Sequence, residues 1–173
     1  MTGHVAAHVV PHAGGVRDDL RAYVAAALGD PDGVLIGDDT GFEKGGSRSA
    51  GVQRQYTGTA GKITNCQLGV FLAYASPRGR ALVDRELYLP RSWTGDGQRL
   101  AAAGIPEGTG FRTKPQLLEL MIERAVTAGI PFGWVTADEA YGGGKAVHRH
   151  GPALRRHERD RHATDGNDHP AGR

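Results

Sequence analysis

The chain has 173 residues, enough for one domain with a sizeable core, yet only 39% of them are apolar. No apolar run approaches the roughly 20 residues that cross a bilayer, which excludes a membrane-spanning helix. The net charge of +2 is uneven: from Gly143 to Arg173 seven Lys/Arg stand against four Asp/Glu, a balance of +3, so the rest carries −1 and charge alone does not support a basic nucleic-acid-binding face on the folded part.

Residues 1–15 show no clear period and lack the basic start and apolar centre of a signal peptide. A helix is expected over Val16–Leu28, where Val16, Leu20, Val24 and Leu28 recur every four residues with Tyr23 and Ala27 beside them; Gly29 and Pro31 supply the stop. Strand-like segments follow. Val34–Asp39 is short and apolar and runs into two adjacent carboxylates, Asp38 and Asp39. Ala50–Tyr56 alternates around Val52, Arg54 and Tyr56. Ile63–Ala75 is long with an apolar centre, and Ala81–Leu89 is the fourth. Three hairpin-like connections in a row suggest an antiparallel meander. From Pro90 to Gly110 the chain is Gly-rich and reads as irregular.

A second helix begins at Thr113. Thr113 and Gln116 have capping-box spacing and Pro115 suits the first turn. Leu117, Leu118, Met121, Ile122, Ala125 and Val126 make one apolar stripe, and Gly129 ends it. A short apolar strand then leads into Asp138 and Glu139.

A helix between strands is the crossover that permits parallel pairing. If the strand before Asp138 lies parallel beside the strand before Asp38, both carboxylates emerge at one edge of the sheet. Carboxylates brought together repel, and divalent cations offset that repulsion. Two such ions about 3.5–4 Å apart can activate a nucleophile and stabilise a leaving oxygen in phosphoryl transfer. Oxygen ligands favour Mg²⁺ or Mn²⁺.

Other residues admit competing readings. Asp84 and Glu86 are two apart and share one side of a strand. They suit a second metal site less well than ion pairing with Arg85 or Arg91, or solvation. Lys44, Arg48, Arg54 and Lys62 lie on the early hairpins and are candidate DNA-phosphate contacts, or simply a solvated face. Tyr56, Trp93 and Tyr141 read as packing residues ahead of base-stacking ones. Cys66, the single cysteine, allows no internal disulfide, fits a core strand, and points to a reducing cytoplasm. All eight histidines lie near the ends, at positions 4, 8, 12, 148, 150, 157, 162 and 169, with no zinc-ligand spacing.

The segments "VLIGDDTGFEKGG", "SAGVQRQYTGTAGKITNCQLGVFLAYA", "RGRALVDRELYLPRSW" and "AGIPEGTGFRTKPQLLELMIERAVTAGIPFGWVTADEAYG" resemble the catalytic core of bacterial insertion-sequence DDE transposases of the insertion sequence 701 type. The resemblance is dense from Val16 to Gly142. It implies an α/β, RNase H-like mixed sheet (antiparallel meander, crossover helix, parallel strand), incomplete at the C-terminus. It also implies Mg²⁺- or Mn²⁺-dependent cleavage and strand transfer on double-stranded DNA at terminal inverted repeats, by a homo-oligomer, in the bacterial cytoplasm at the nucleoid. The first family acid maps onto Asp38, with Asp39 as the alternative, and the second onto Asp138. The third, a Glu on a downstream helix, has no counterpart.

The expected domains are therefore an irregular segment 1–15, a partial catalytic core 16–142 and a disordered His/Arg-rich tail 143–173. The tail holds two large aliphatics, Val147 and Leu154, and reads as out-of-frame translation. On that reading the chain is a transposase with impaired or absent cleavage, or an inactive remnant that binds DNA or a partner. An aspartate-based phosphatase is the competing enzyme. It wants a second acid two positions after the first, where this chain has Thr40 or Gly41.

Overall fold

The computed structural model describes residues 13–138, 141 and 148–149. The segment before Ala13, and the tail with its histidines apart from His148 and Arg149, lie outside the described residues. The elements in order are α1 (Ala13–Leu28), β1 (Val34–Glu43), β2 (Gln53–Thr57), β3 (Lys62–Ser76), β4 (Gly79–Tyr88), α2 (Arg91–Thr94), α3 (Gly97–Ala102), α4 (Lys114–Thr127), β5 (Trp134–Ala137) and β6 (His148–Arg149). Among the described residues no helix is long and apolar enough to cross a membrane.

The strands form one mixed sheet, and its architecture is the α/β, RNase H-like one expected. β3 is its spine. One edge of β3 pairs antiparallel with β1, from Glu43 opposite Cys66 to Val34 opposite Ala75. The other edge is shared, β2 taking Lys62–Cys66 and β4 taking Leu68–Ser76. The first of the three expected hairpins is thus not formed. β1, β3 and β4 are the meander, and β2 is a short strand folded back on β3 within the β1–β3 connection.

α4 provides the crossover. Thr113 Oγ1 accepts from Gln116 N and the Gln116 side chain accepts from Thr113 N, a complete capping box. The helix buries Leu117, Leu118, Met121 and Ala125 against the sheet. Gly129, at a φ of +71°, turns the chain out of it. β5 then docks parallel to β1, with Val34 opposite Trp134 and Gly37 opposite Ala137. β6 adds antiparallel pairs to Trp134 and Val135.

The main core lies between one sheet face and α1 and α4. Leu35, Val70, Leu72, Tyr74 and Val83 meet Val24, Leu118 and Met121 there. The opposite face is uncovered: Ile36, Phe42 and Leu82 are exposed. With Phe71 and Ala73 they line a depression of about 350 Å³ that also borders Asp38 and Thr40.

Three further expectations are corrected. The span Pro90–Gly110 is not irregular. It carries α2 and α3, which close a separate small core of Val52, Trp93 and Leu100. β1 does not stop at Asp39 but runs on to Glu43, because its pairing with β3 continues to Cys66. α1 does not bury the stripe Val16, Leu20 and Tyr23, which faces solvent; Arg21 is buried instead, with Arg17 half-buried beside it. The cause is on β4. A bulge between Leu72 and Ala73 of β3 leaves Val83 as the extra residue and turns both Val83 and Asp84 inward. A buried carboxylate needs cations, and α1 is rotated to supply them.

Candidate active site

β1 alternates in the ordinary way of a strand. Leu35 and Gly37 face α4, while Ile36 and Asp38 face the uncovered side. Asp38 and Asp39 therefore point to opposite faces, and adjacency in sequence does not make them equivalent.

Gly37 lies directly under Leu118. A Cβ at Gly37 would come within 2.5 Å of the Leu118 methyl groups, so α4 and β1 approach closely here. Two residues along β1, Asp39 sits beneath the first turn of α4. Lys114, four residues before Leu118, reaches it with Nζ 2.7 Å from Oδ2. The Tyr141 hydroxyl donates to the other oxygen, Oδ1, at 3.4 Å. Asp38 Oδ1 accepts from the Asp39 backbone N–H at 2.8 Å.

Asp138 is the residue after β5, and Asp38 is the residue after the last parallel pair, Gly37 and Ala137. Both are exposed. They line one cleft of about 270 Å³ with Ile36, Gly37, Thr136 and Ala137. The crossover thus brings Asp38 and Asp138 together, with Asp39 alongside.

Tyr141 is anchored by its backbone N–H to Asp138 O at 2.9 Å. Burial pushes its hydroxyl above the ordinary tyrosine range, and the charges of Asp39, Asp38 and Asp138 push the same way. A raised folded-state pKa contributes stability that is present below the unfolded value, about 10, and lost as pH rises toward the folded one. The unfolding free energy of the wild type is expected to fall more steeply than that of Tyr141→Phe above about pH 10, by up to about 1.4 kcal/mol per pH unit. Denaturant titrations from about pH 9 to 11 would show it; parallel curves would refute it.

The donor set suits a hard divalent ion. Asp38 and Asp138 offer carboxylate oxygens at an open cleft, and Mg²⁺ commonly takes one or two carboxylates and leaves its other positions to water and substrate phosphate. Among the described residues no group of three or more His, Cys, Asp or Glu is arranged to hold a metal unaided. Asp39, the alternative first acid, is occupied by Lys114 and Tyr141.

The four candidate DNA contacts stand apart from the carboxylates. Lys44 is half-buried just beyond β1, and Arg48, Arg54 and Lys62 are exposed in the following loop, on β2 and at the start of β3. Lys44 is six residues from Asp38, roughly 20 Å along a strand. Asn65 fixes the loop by donating to Lys44 O at 2.6 Å and Gly46 O at 2.9 Å.

Asp84 and Glu86 are not a second metal site, and their partners are not Arg85 or Arg91. Asp84, its side chain fully buried, accepts from Arg21 Nη1 at 3.0 Å, Arg124 Nε at 2.7 Å and Arg17 Nη1 at 3.4 Å. Glu86 takes Arg124 Nη2 at 2.6 Å. Arg21 also pairs with Asp18. Burial alone would lower the Arg124 pKa, but its bonds to Asp84 and Glu86 raise it. Cys66 is buried, which pushes its thiol pKa up and leaves it a core residue.

Sequence reasoning did not find Lys114 or the Tyr141–Asp39 bond. The available signal was the spacing of Lys114 and Leu118 on α4 against Gly37 and Asp39 on β1.

Comparison with known proteins follows the same residues. A family model described as DDE superfamily endonuclease matches residues 4–157. A probable transposase for insertion sequence element IS701 from Microchaete diplosiphon is 35% identical over 114 residues, which cover 63% of this chain and 26% of that protein. The chain thus spans about a quarter of the length of that curated relative. No solved structure matches.

Proposed function

Because the chain belongs to the DDE superfamily endonuclease family, we propose that it derives from DNA transposition chemistry, with Asp38 and Asp138 as the metal-holding catalytic acids. What supports this is the register: Gly37 pairs with Ala137, so the next residue on each strand is an aspartate. Asp38 is preferred to Asp39 because it is exposed at the cleft, whereas Asp39 is engaged by Lys114 and Tyr141. Mg²⁺ or Mn²⁺ bound there would activate the attacking hydroxyl and stabilise the leaving oxygen of a DNA phosphodiester. The two aspartates hold and orient; the close packing of Gly37 under Leu118 keeps β1 fixed behind them.

The substrate in this reading is double-stranded DNA at the terminal inverted repeats of an insertion sequence, gripped by a homo-oligomer. Lys44, Arg48, Arg54 and Lys62 would take phosphates at a distance from the cut. Cleavage by these residues alone is weak or absent, since the acids lining the cleft are Asp38 and Asp138. Binding without cleavage is the second reading. It is favoured by the apolar face around Ile36, Phe42 and Leu82, which offers a surface to a partner.

Mn²⁺ titration tests the site. The wild type is expected to bind in the micromolar to millimolar range, and Asp38→Ala or Asp138→Ala to weaken binding at least about tenfold, the effect of removing one charged ligand from a two-carboxylate site. Equal affinity in all three proteins would sink the assignment. DNA binding that falls steeply with salt in the wild type, and less steeply in Arg54→Ala, would support the phosphate contacts.

A further inference from the structure

The Lys114 ammonium sits 2.7 Å from Asp39 Oδ2 and is only partly exposed, at 24% of its side-chain surface, with Asp39 at 16%. It is therefore a held pair. Its position is set by three independent features. The capping box fixes the start of α4 at Thr113. The contact of Leu118 with Gly37 fixes the height of the helix over β1. The strand alternation fixes which aspartate faces up. Asp38, Asp39 and Asp138 meet at the end of the parallel pair, where three like charges disfavour assembly unless a cation is near.

We propose that Lys114 is an internal counter-cation of the carboxylate site: it holds Asp39 and offsets the site's negative charge when no metal is bound, and so competes with a divalent ion for the same charge. This rests on the reading of Asp38 and Asp138 as metal ligands. Lys114 is then a positioning residue. It stabilises the metal-free site and weakens metal affinity, and entry of a divalent ion takes over its electrostatic role. Tyr141, donating to the second oxygen of Asp39, keeps that carboxylate oriented toward α4 while Lys114 holds it.

The test is Mn²⁺ binding, followed by electron paramagnetic resonance of the free ion, together with thermal unfolding with and without Mn²⁺. The proteins are the wild type, Lys114→Met, Lys114→Gln and Lys114→Arg. Lys114→Met and Lys114→Gln are expected to bind Mn²⁺ about tenfold more tightly, because one positive charge has left the vicinity of the ion. Both should unfold at lower temperature than the wild type without metal and recover more on saturation with Mn²⁺. Lys114→Arg, which keeps the charge, should behave as the wild type does. The Gln variant serves if the Met variant does not fold.

A folded Lys114→Gln with unchanged or weaker Mn²⁺ affinity would overturn the proposal, leaving Lys114 a tie for α4 alone. Tighter binding that survives Asp38→Asn and Asp138→Asn would support Lys114 as counter-cation while refuting those aspartates as the ligands. No Mn²⁺ binding in any of the four proteins would overturn both.

Discussion

Replacing Asp84 with Asn is expected to cost about 3–5 kcal/mol of folding stability, the usual result of removing one partner from a buried ion pair. The size follows from what remains. Asp84 is the shared acceptor for Arg17 and Arg21 of α1 and Arg124 of α4. Its side chain has no exposed surface, and Arg21 is almost as buried. Loss of the carboxylate charge leaves guanidinium groups in a poorly solvated place, with Glu86 and Asp18 as the remaining acids of the network. Small domains hold only about 5–15 kcal/mol in all, so the variant should approach the threshold of folding. Urea unfolding would check it, with a lowered midpoint and an unchanged slope expected. A cost below about 1 kcal/mol would mean the network behaves as a surface one. Replacing Glu86, about a quarter exposed, should cost much less.

The second large effect is expected at Trp93. Trp93→Ala should cost about 3–5 kcal/mol, the range for truncating a buried tryptophan. The ring is 1% exposed, its Nε1 donates to Val52 O at 2.8 Å, and the Arg99 guanidinium lies 3.8 Å from its centroid. This small core is distinct from the main one. Hydrogen exchange should therefore accelerate first in α2, α3 and β2, while Mn²⁺ binding at Asp38 and Asp138 stays unchanged. Loss of metal binding in step with loss of protection would show that the two cores unfold as one.

The parts of the fold legible in the sequence were those governed by local rules. The capping box at Thr113 and Gln116 formed as its spacing required. The apolar–helix–apolar order from β1 through α4 to β5 implied the parallel register that brings Asp38 beside Asp138. What was not legible depended on distant partners. The period-four stripe of α1 suggested a buried Val16, Leu20 and Tyr23. It was outweighed by Asp84, some 60 residues away, whose burial needs Arg17 and Arg21. The mistaken first hairpin has a similar cause. β1 and β2 are adjacent in the chain, but β3 is long enough to offer one edge to β1 and the other to β2 and β4 together. At the site, two neighbouring aspartates looked interchangeable. The pleat separates them, and only the placement of Lys114 and Tyr141 shows that Asp39 is occupied.

The bulge at Val83 gives β4 a phase as well as a sequence. Upstream of it Leu82 points outward; downstream, Asp84 and Glu86 point inward and Arg85 outward. Substitution at Val83 changes one side chain. Loss of that one residue would exchange inside for outside along everything that follows, sending the Asp84 and Glu86 carboxylates to the bare face and an arginine toward the three arginines of the helices. In this strand a codon's presence matters more than its content, and insertions or deletions here are a harsher class of change than any replacement.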